Sequence, residues 1–186
     1  MPKRLLEGPF TVADYHRLAE LGILHEDDRV ELLDGQIVVM TPIGPRHAGC
    51  VDRLTRLFSR QAADLAVVRV QNPVVLGERA EPEPDVSLLQ PPIERYAGAH
   101  PQPIDVLLVI EVAETSLDYD REVKLPLYAS AGVPEVWLVD LEGERITLHR
   151  APGPDGYGDV TTASRGETIS PRLLPHVALA VDDILG

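Results

Sequence analysis

Cysteine and aromatic residues are both scarce in this chain of 186 residues. The single cysteine, Cys50, excludes an internal disulfide bond and any zinc or iron–sulfur site built from several cysteines. Such low cysteine use fits a reducing cytoplasm, which is the location that we expect. Aromatic residues make up only 4% of the sequence, so leucine, valine, isoleucine and alanine must supply most of the core.

Long apolar runs are also missing. No stretch of about 18 consecutive apolar residues occurs, and the first segment, MPKRLLEGPF, lacks the apolar region of a secretion signal. We therefore expect neither a membrane span nor export. The length, together with the lack of repeats and long linkers, predicts a single domain over residues 1–186.

Positive charge is scarce relative to negative charge. The 17 lysine and arginine residues stand against 30 aspartate and glutamate residues, which gives a net charge of −13 at pH 7. Tight nonspecific binding of nucleic acid usually needs a basic face, because phosphate neutralisation and counterion release supply much of the affinity. The composition argues against such binding. It remains compatible with an enzyme whose metal ions bridge carboxylates to a phosphate, since the cations reverse the local charge.

The central segment, residues 106–140, predicts a strand, a helix and a second strand. The apolar, β-branched run at 106–110 is typical of a buried strand. Residues 120–131 carry apolar and small side chains at helical spacing, and Gly132 ends that helix. A second apolar strand follows at 136–139, so the order predicts a parallel pair joined by a right-handed crossover.

The other predicted elements lie on both sides of this segment. Before it come a helix over 12–21 capped by Thr11, a hairpin of 29–33 and 36–40, a helix over 46–63, and strands over 66–70 and 86–89. After it come a strand over 145–149, a loop over 151–158, and strand-like pieces near 160 and 177–179. The Asp34-Gly35 pair is a strong hairpin signal. The fold class that we predict is α/β (α+β), with a mixed central sheet that includes this hairpin and is flanked by helices.

Asp85 and Glu111 are the first candidates for chemistry. Asp85 follows a proline-rich extended stretch and begins a strand, whereas Glu111 lies where another strand ends. Pairing of the two strands would bring both carboxylates to one end of the sheet, where a divalent cation could bind them together. The alternative is that Asp85 is a turn residue and that Glu111 is solvated.

A second candidate lies in the helix of the central segment, where Asp120, Lys124 and Tyr128 are spaced four apart on one face. One interpretation is an ordinary Asp120–Lys124 ion pair, worth about a few tenths of a kcal/mol. The other is that Lys124 projects over the strand that carries Glu111. There its ammonium would stabilise charge on a phosphorane-like transition state or orient the attacking water.

Glu31 and His47 complete the set of candidates. Glu31 is a third acidic ligand or an exposed hairpin residue, and His47 either contacts phosphate, acts as a general base, or is structural. A Cys50–His47 nucleophilic pair would need a third orienting group that the sequence does not identify, so it is the weaker interpretation.

Three separated motifs resemble those of a known family. In chain order they are VELLDGQIVVMTPIGPRHAGC, EPEPDVSLL and VLLVIEVAETSLDYDREVKLPLYASAGVPEVWLVD. The combination is similar to the Uma family of restriction-endonuclease-like proteins, within the PD-(D/E)XK nuclease superfamily, and it covers nearly the whole chain. The resemblance implies a mixed sheet flanked by helices, a phosphodiesterase centre that depends on Mg²⁺ or Mn²⁺, and a bacterial cytoplasmic setting.

The resemblance also implies roles for single residues. Asp85 and Glu111 match the superfamily's metal-binding acids, and the carbonyl of Val112 completes the coordination. Glu31 matches an upstream acidic position, and His47 matches a histidine that follows the proline-rich loop.

One position departs from the superfamily pattern. Lysine is expected two residues after the acidic strand residue, but Ala113 stands there. The resemblance therefore selects Lys124, on the following helix, with Asp120 one turn earlier. A long lysine stem can place its ammonium at the same point from a different backbone origin.

Two functions from different classes remain at this stage. The first is a metal-dependent endonuclease that cuts DNA by in-line attack of water, with a homodimer as an arrangement suited to cutting both strands. The second is a catalytically silent module of the same fold that acts in protein assembly or regulation. The acidic balance favours the silent module, whereas the joint presence of Asp85, Glu111 and Lys124 favours the enzyme.

Overall fold

The computed structural model describes residues 4–6, 8–25 and 27–186. Their strands are β1 (Arg4–Leu6), β2 (Val30–Leu33), β3 (Gln36–Val39), β4 (Val67–Val70), β5 (Val86–Leu89), β6 (Val106–Ala113), β7 (Glu135–Asp140), β8 (Arg145–Gly153), β9 (Gly156–Ser164), β10 (Thr168–Ile169) and β11 (Leu179–Ala180). The α-helices are α1 (Val12–Glu20), α2 (Pro45–Gln61), α3 (Leu117–Tyr119), α4 (Leu125–Ala131) and α5 (Val181–Leu185). A π-helical turn, Asp120–Lys124, joins α3 to α4. Short 3-10 turns lie at Ala63–Leu65, Ile93–Tyr96 and Pro103–Asp105.

A six-stranded sheet in the order β4-β5-β6-β7-β8-β9 forms the centre of the fold. The pair β6–β7 is parallel and the other neighbours are antiparallel, so the predicted mixed sheet and its parallel pair are confirmed. The crossover helix ends where predicted, because Gly132 adopts a left-handed conformation with φ of 81° that releases the chain toward β7. No helix within the described residues has the length and apolar character needed to cross a membrane.

The two faces of this sheet are covered by different helices. Leu108, Ile110 and Val112 of β6 belong to the core on the side of α2, whose Leu54 and Phe58 pack there. Val109 and Ala113 of the same strand belong to the core on the side of α4. Because side chains alternate along a strand, Glu111 shares the α4 face with Val109 and Ala113.

The N-terminal hairpin was predicted to join the central sheet, and this prediction is wrong. The hairpin turn itself is confirmed, since Asp34 and Gly35 both have positive φ (45° and 76°), as a tight two-residue turn requires. However, β2 and β3 form a separate sheet in the order β1-β3-β2. The hairpin is drawn into a separate core with α1, in which Leu32 and Ile37 are fully buried.

Two predictions near the C-terminus also need correction. The predicted loop over 151–158 is mostly strand, because β8 and β9 pair as far as Gly153 and Gly156 and leave only Pro154 and Asp155 between them. The glycine and proline residues of this segment predict a long loop, but a two-residue turn is enough to explain their presence. The strand predicted at 177–179 begins only at Leu179, and α5 follows it directly.

Candidate active site

A cavity of about 480 Å³ opens between the N-terminal hairpin, the start of α2, the end of β6 and the helix that follows it. It brings together seven of the residues that the sequence identified as candidates, although their elements are far apart in the chain. These residues are Glu31, His47, Asp85, Glu111, Val112, Asp120 and Lys124. The interpretations of Glu31 as exposed and of Glu111 as solvated are wrong, since only 3% and 4% of these residues are exposed.

Strand register brings Asp85 next to the end of β6. Val86 pairs with Ile110, so Asp85 lies one position beyond this pair and opposite Glu111. The backbone N–H of Val112 donates to Asp85 Oδ2 at 2.9 Å, which fixes the carboxylate against the strand. The prediction that pairing of the two strands brings these carboxylates to a common end is therefore confirmed.

His47 is the side-chain partner of Asp85. It lies in the first turn of α2, and its Nε2 is 3.0 Å from Asp85 Oδ2. Burial raises the pKa of Asp85, but the hydrogen bond and charge of His47, the Val112 N–H and Lys124 together outweigh it, so the pKa lies below its usual value. Burial lowers the pKa of His47, but the bond to Asp85 and nearby carboxylates outweigh it and raise that pKa. The pair thus favours an ionised carboxylate beside a protonated imidazole.

Lys124 lies between two carboxylates. Its Nζ is 3.1 Å from Glu31 Oε2 and 3.3 Å from Glu111 Oε1. The interpretation that Lys124 projects over the strand that carries Glu111 is confirmed. The interpretation as an ordinary Asp120–Lys124 ion pair is wrong, because both side chains are buried and Lys124 pairs elsewhere. Burial lowers the pKa of Lys124, yet the surrounding carboxylates outweigh it and raise the pKa well above 10.5. The ammonium therefore stays charged at neutral pH.

The helix that carries Lys124 differs from the prediction of a regular helix over 120–131. It begins at Leu117, whose half-buried side chain packs against the core shared with α4. Within it, Leu125 N–H donates to the carbonyl of Asp120, five residues earlier, which is the bond of a π turn.

The π turn changes the angular spacing of the side chains along this helix. Each residue of a regular helix advances by about 100°, so positions 120 and 128 would be about 80° apart around the axis. A π turn holds one extra residue, and this offsets the drift. Asp120, Lys124 and Tyr128 are all buried.

The side chains of Tyr128 and Lys124 both contact Glu111. Tyr128 donates its O–H to Glu111 Oε1 at 2.6 Å, and the same oxygen lies near Lys124. Burial raises the pKa of Glu111 to about 8; Lys124 opposes this rise, while Asp120 and other carboxylates add to it. Burial likewise raises the pKa of Asp120 to about 6, against the effect of Lys124 and of the Ser116 hydroxyl that donates to it.

Sequence reasoning missed two residues of the site. Gln71 donates to Asp85 Oδ1 at 3.3 Å. Glu83 lines the cavity, and its backbone N–H donates to Glu31 Oε2 at 3.3 Å. Glu83 lies two residues before Asp85 in an extended stretch, so the period-two alternation of side chains was the signal that could have placed both on one side. Gln71 carries no such signal.

The weaker nucleophile interpretation gains no support from the geometry. Cys50 is fully buried in α2, and burial raises the pKa of its thiol to about 12. The imidazole of His47 is engaged with Asp85 instead.

The donor set fits a hard divalent cation. Eight acidic residues line the cavity against three basic ones, Arg29, His47 and Lys124; the acidic ones are Glu31, Glu83, Asp85, Glu111, Glu114, Asp118, Asp120 and Glu122. Burial is the main cause of the raised pKa values of Glu111 and Asp120, and the neighbouring carboxylates add to it. Carboxylate and carbonyl oxygens are the ligands that Mg²⁺ and Mn²⁺ prefer.

A mixed sheet between helices, with a buried lysine among carboxylates at the strand ends, defines a restriction-endonuclease-like protein. The sequence model of the Uma2 family, described as "Putative restriction endonuclease", matches residues 12–182, and the chain belongs to this family. The resemblance noted from the motifs is thereby confirmed.

A solved structure gives the same fold. It is that of "a putative nuclease belonging to DUF820" from Anabaena variabilis ATCC 29413, with a TM-score of 0.74 over 90% of this chain and 96% of that chain. The two sequences are 15% identical, so the likeness concerns the fold. No curated protein shows significant similarity to the chain.

Proposed function

We propose that this chain is a metal-dependent endonuclease that hydrolyses phosphodiester bonds of DNA. The observation that carries the proposal is the position of the Lys124 ammonium, buried between Glu31 and Glu111 in the cavity that also holds Asp85. The family description and the nuclease of the same fold support hydrolysis of nucleic acid.

Asp85, Glu111 and the Val112 carbonyl are the residues that would hold Mg²⁺ or Mn²⁺. When bound, the cation would supply Lewis acidity toward the phosphate and would lower the pKa of a bound water. The hydrogen bond from Val112 N–H to Asp85 keeps this carboxylate beside the backbone that offers the carbonyl. Tyr128 restrains Glu111 in the same way.

Lys124 acts as an electrostatic group rather than as a base, because its raised pKa keeps the ammonium charged. Glu31 and Glu111 hold it at two points, so it can stabilise the negative charge that develops on phosphate oxygens or position the attacking water. In the reaction a water oxygen forms a bond to phosphorus and loses a proton. The bond from phosphorus to the leaving sugar oxygen breaks, and that oxygen takes up a proton.

His47 and Asp120 are supporting residues. His47 keeps Asp85 ionised and oriented through a bond of 3.0 Å. Asp120 accepts a hydrogen bond from Ser116 and adds to the negative potential that holds Lys124 charged.

DNA binding must rely on this local chemistry, since a chain with a net charge of −13 has little general affinity for phosphates. A homodimer would present two such cavities to the two strands, and sedimentation analysis with and without DNA tests that arrangement.

Cleavage of plasmid DNA with Mn²⁺ tests the proposal. We expect the wild-type chain to cut and Lys124→Ala to lose about a hundredfold or more in rate, as when one charge-stabilising donor is removed. Arg121→Ala is a matched control, because this arginine is exposed on the same helical turn. Full activity of Lys124→Ala would remove the lysine from the mechanism.

A second measurement guards against loss of the fold. Removing a buried ammonium leaves two carboxylates uncompensated, so Lys124→Ala is expected to melt at a lower temperature, and activity is compared well below that temperature. Titration of the wild-type chain with Mn²⁺ by calorimetry then separates the enzyme from the silent module. Absence of both Mn²⁺ binding and cleavage would favour the silent module.

A further inference from the structure

A second group of metal-ligating side chains lies outside the cavity. It consists of His16 on α1, Glu81 in the extended segment before β5, and His100 in the loop before β6. Each offers one ligand atom, and the three atoms all lie within 4.8 Å of one another. The three residues are far apart in the sequence, so no motif spacing predicts the group.

We propose that His16, Glu81 and His100 bind a divalent transition-metal ion, with Zn²⁺ as the chemically best match. Two imidazole nitrogens and one carboxylate oxygen form a donor set that suits Zn²⁺ and its neighbours in the first transition row. Mg²⁺ prefers an all-oxygen shell and holds its water molecules firmly, so it is a poor competitor at these donors.

The distances suit such an ion after small rotations of the side chains. His16 Nε2 is 2.8 Å from Glu81 Oε2 and 3.1 Å from Oε1. Ligand atoms around a tetrahedral zinc ion are separated by roughly 3.4 Å, since zinc–ligand bonds are about 2.0–2.2 Å long. The His16 and His100 rings pack with their centroids 6.1 Å apart and are both exposed, so they are free to turn toward a common point.

Glu81 supplies the fixed ligand of the group. It is 3% exposed, and its backbone is held by Leu32, whose carbonyl accepts from Glu81 N–H at 2.7 Å. A buried carboxylate needs a compensating charge, and His16 supplies one only when it is protonated. A divalent cation would compensate the carboxylate at neutral pH with neutral imidazoles as ligands, which is the form that binds metal.

The bound ion would tie three separate parts of the chain together. It would fasten α1 to the segment that leads to Asp85 and to the loop that leads to β6. Three protein ligands leave a fourth position for water, as in zinc sites that are not closed by a fourth side chain. The role that follows most directly is to hold α1, with the small sheet β1-β3-β2 that it packs on, against the central sheet.

Calorimetry with Zn²⁺ tests this site, and a background variant isolates it from the cavity. We expect the Asp85→Asn chain to bind one equivalent of Zn²⁺ even in excess Mg²⁺, with a rise in melting temperature. His16→Ala and His100→Ala should each weaken the binding by at least about tenfold, because each removes a direct ligand. His176→Ala, which alters an exposed histidine elsewhere, should leave it unchanged.

A spectroscopic readout complements the titration. Co²⁺ in place of Zn²⁺ should give visible absorption bands typical of a tetrahedral site in the Asp85→Asn chain, and these bands should disappear in the His16→Ala/His100→Ala double variant. Both histidines are exposed, so the variants should fold, and their circular dichroism verifies this. Equal Zn²⁺ affinity of the double variant, or no Zn²⁺ binding by the Asp85→Asn chain, would overturn the proposal and leave His16 and Glu81 as a simple hydrogen-bonded pair.

Discussion

Two groups of ionisable side chains share the stretch from Glu81 to Asp85, and they differ in burial and in donor atoms. The cavity group joins buried carboxylates to Lys124, which stays charged. The outer group joins one buried carboxylate, Glu81, to two exposed imidazoles. Oxygen donors favour Mg²⁺ and Mn²⁺, whereas mixed nitrogen and oxygen donors favour Zn²⁺. If both proposals hold, neighbouring acidic residues on one extended stretch bind different metals, because each is completed by residues from different elements.

The strongest test of this difference is Asp85→Asn. The change removes a proposed oxygen ligand and the negative charge that faces His47, so we expect loss of Mn²⁺ binding and a fall in cleavage on the order of a thousandfold. Calorimetry with Mn²⁺ and the plasmid assay measure both effects. Undiminished Mn²⁺ affinity of Asp85→Asn would show that Asp85 in the cavity group is not a Mn²⁺ ligand.

A buried hydroxyl in the cavity group is expected to contribute to the stability of the fold. Tyr128→Phe removes the O–H that donates to Glu111 Oε1 at 2.6 Å, and no water can replace it easily at a fully buried position. We expect the free energy of unfolding to fall by about 2 kcal/mol, in the range for leaving a buried hydrogen-bonding group without its partner. Urea denaturation measures it. Tyr157→Phe, which removes a hydroxyl bonded to the Val133 carbonyl in a less buried place, is the comparison.

The cavity group should also give the metal-free protein a characteristic pH dependence. The folded-state pKa of Glu111 is raised to about 8 from 4.5, so the folded chain holds this proton where the unfolded chain has lost it. Its contribution to stability is complete below about pH 4.5 and is lost as the pH rises through 8. Asp120, with a pKa raised to about 6, acts in the same direction at lower pH.

Denaturation in EDTA between pH 5 and 9 measures this slope. We expect stability to decrease over the range in the wild-type chain and to decrease less in Glu111→Gln, which cannot lose the proton. Identical slopes in the two chains would show that Glu111 does not titrate in this way.

The smallest expected effect concerns the outer group. Thr11 caps α1, because its Oγ1 accepts from Asp14 N–H at 3.1 Å while Asp14 accepts from Thr11 N–H. Thr11→Ala should cost about 1 kcal/mol of stability and loosen the helix that carries His16. We expect slightly weaker Zn²⁺ binding with unchanged Mn²⁺-dependent cleavage. A loss of cleavage would mean that α1 also governs the cavity.

Local patterns predicted much of the fold. The cap at Thr11, the Asp34-Gly35 turn and the stop at Gly132 are short-range signals, and the structure has all three. The strand–helix–strand order is also read from a continuous segment, and it predicted the parallel pair β6–β7. The separate sheet of the hairpin was not predictable in this way, since it depends on which core Leu32 joins.

The candidate site divides in a similar manner. Asp85 and Glu111 could be found because each marks the end of an apolar strand, and Lys124 was suggested by its helical spacing. The family resemblance then favoured a functional role for Glu31, His47 and Lys124 over the alternatives. Lys124 pairs with Glu31 from within a π turn, which has no clear local sequence signal. The outer group could not be predicted from the sequence, because its three residues are brought together only by the folding of distant segments.

The π turn also bears on how relatives of this chain are recognised from motif spacing. Lys124 follows Glu111 by 13 positions, and one residue of that interval is the extra residue of the turn. Removing a single residue there would restore a regular helix and keep the lysine at a similar height above the strand. A motif written with one fixed interval between glutamate and lysine would therefore pass over chains that build the same charged contact with a regular helix. An interval that tolerates a difference of one residue would retain them.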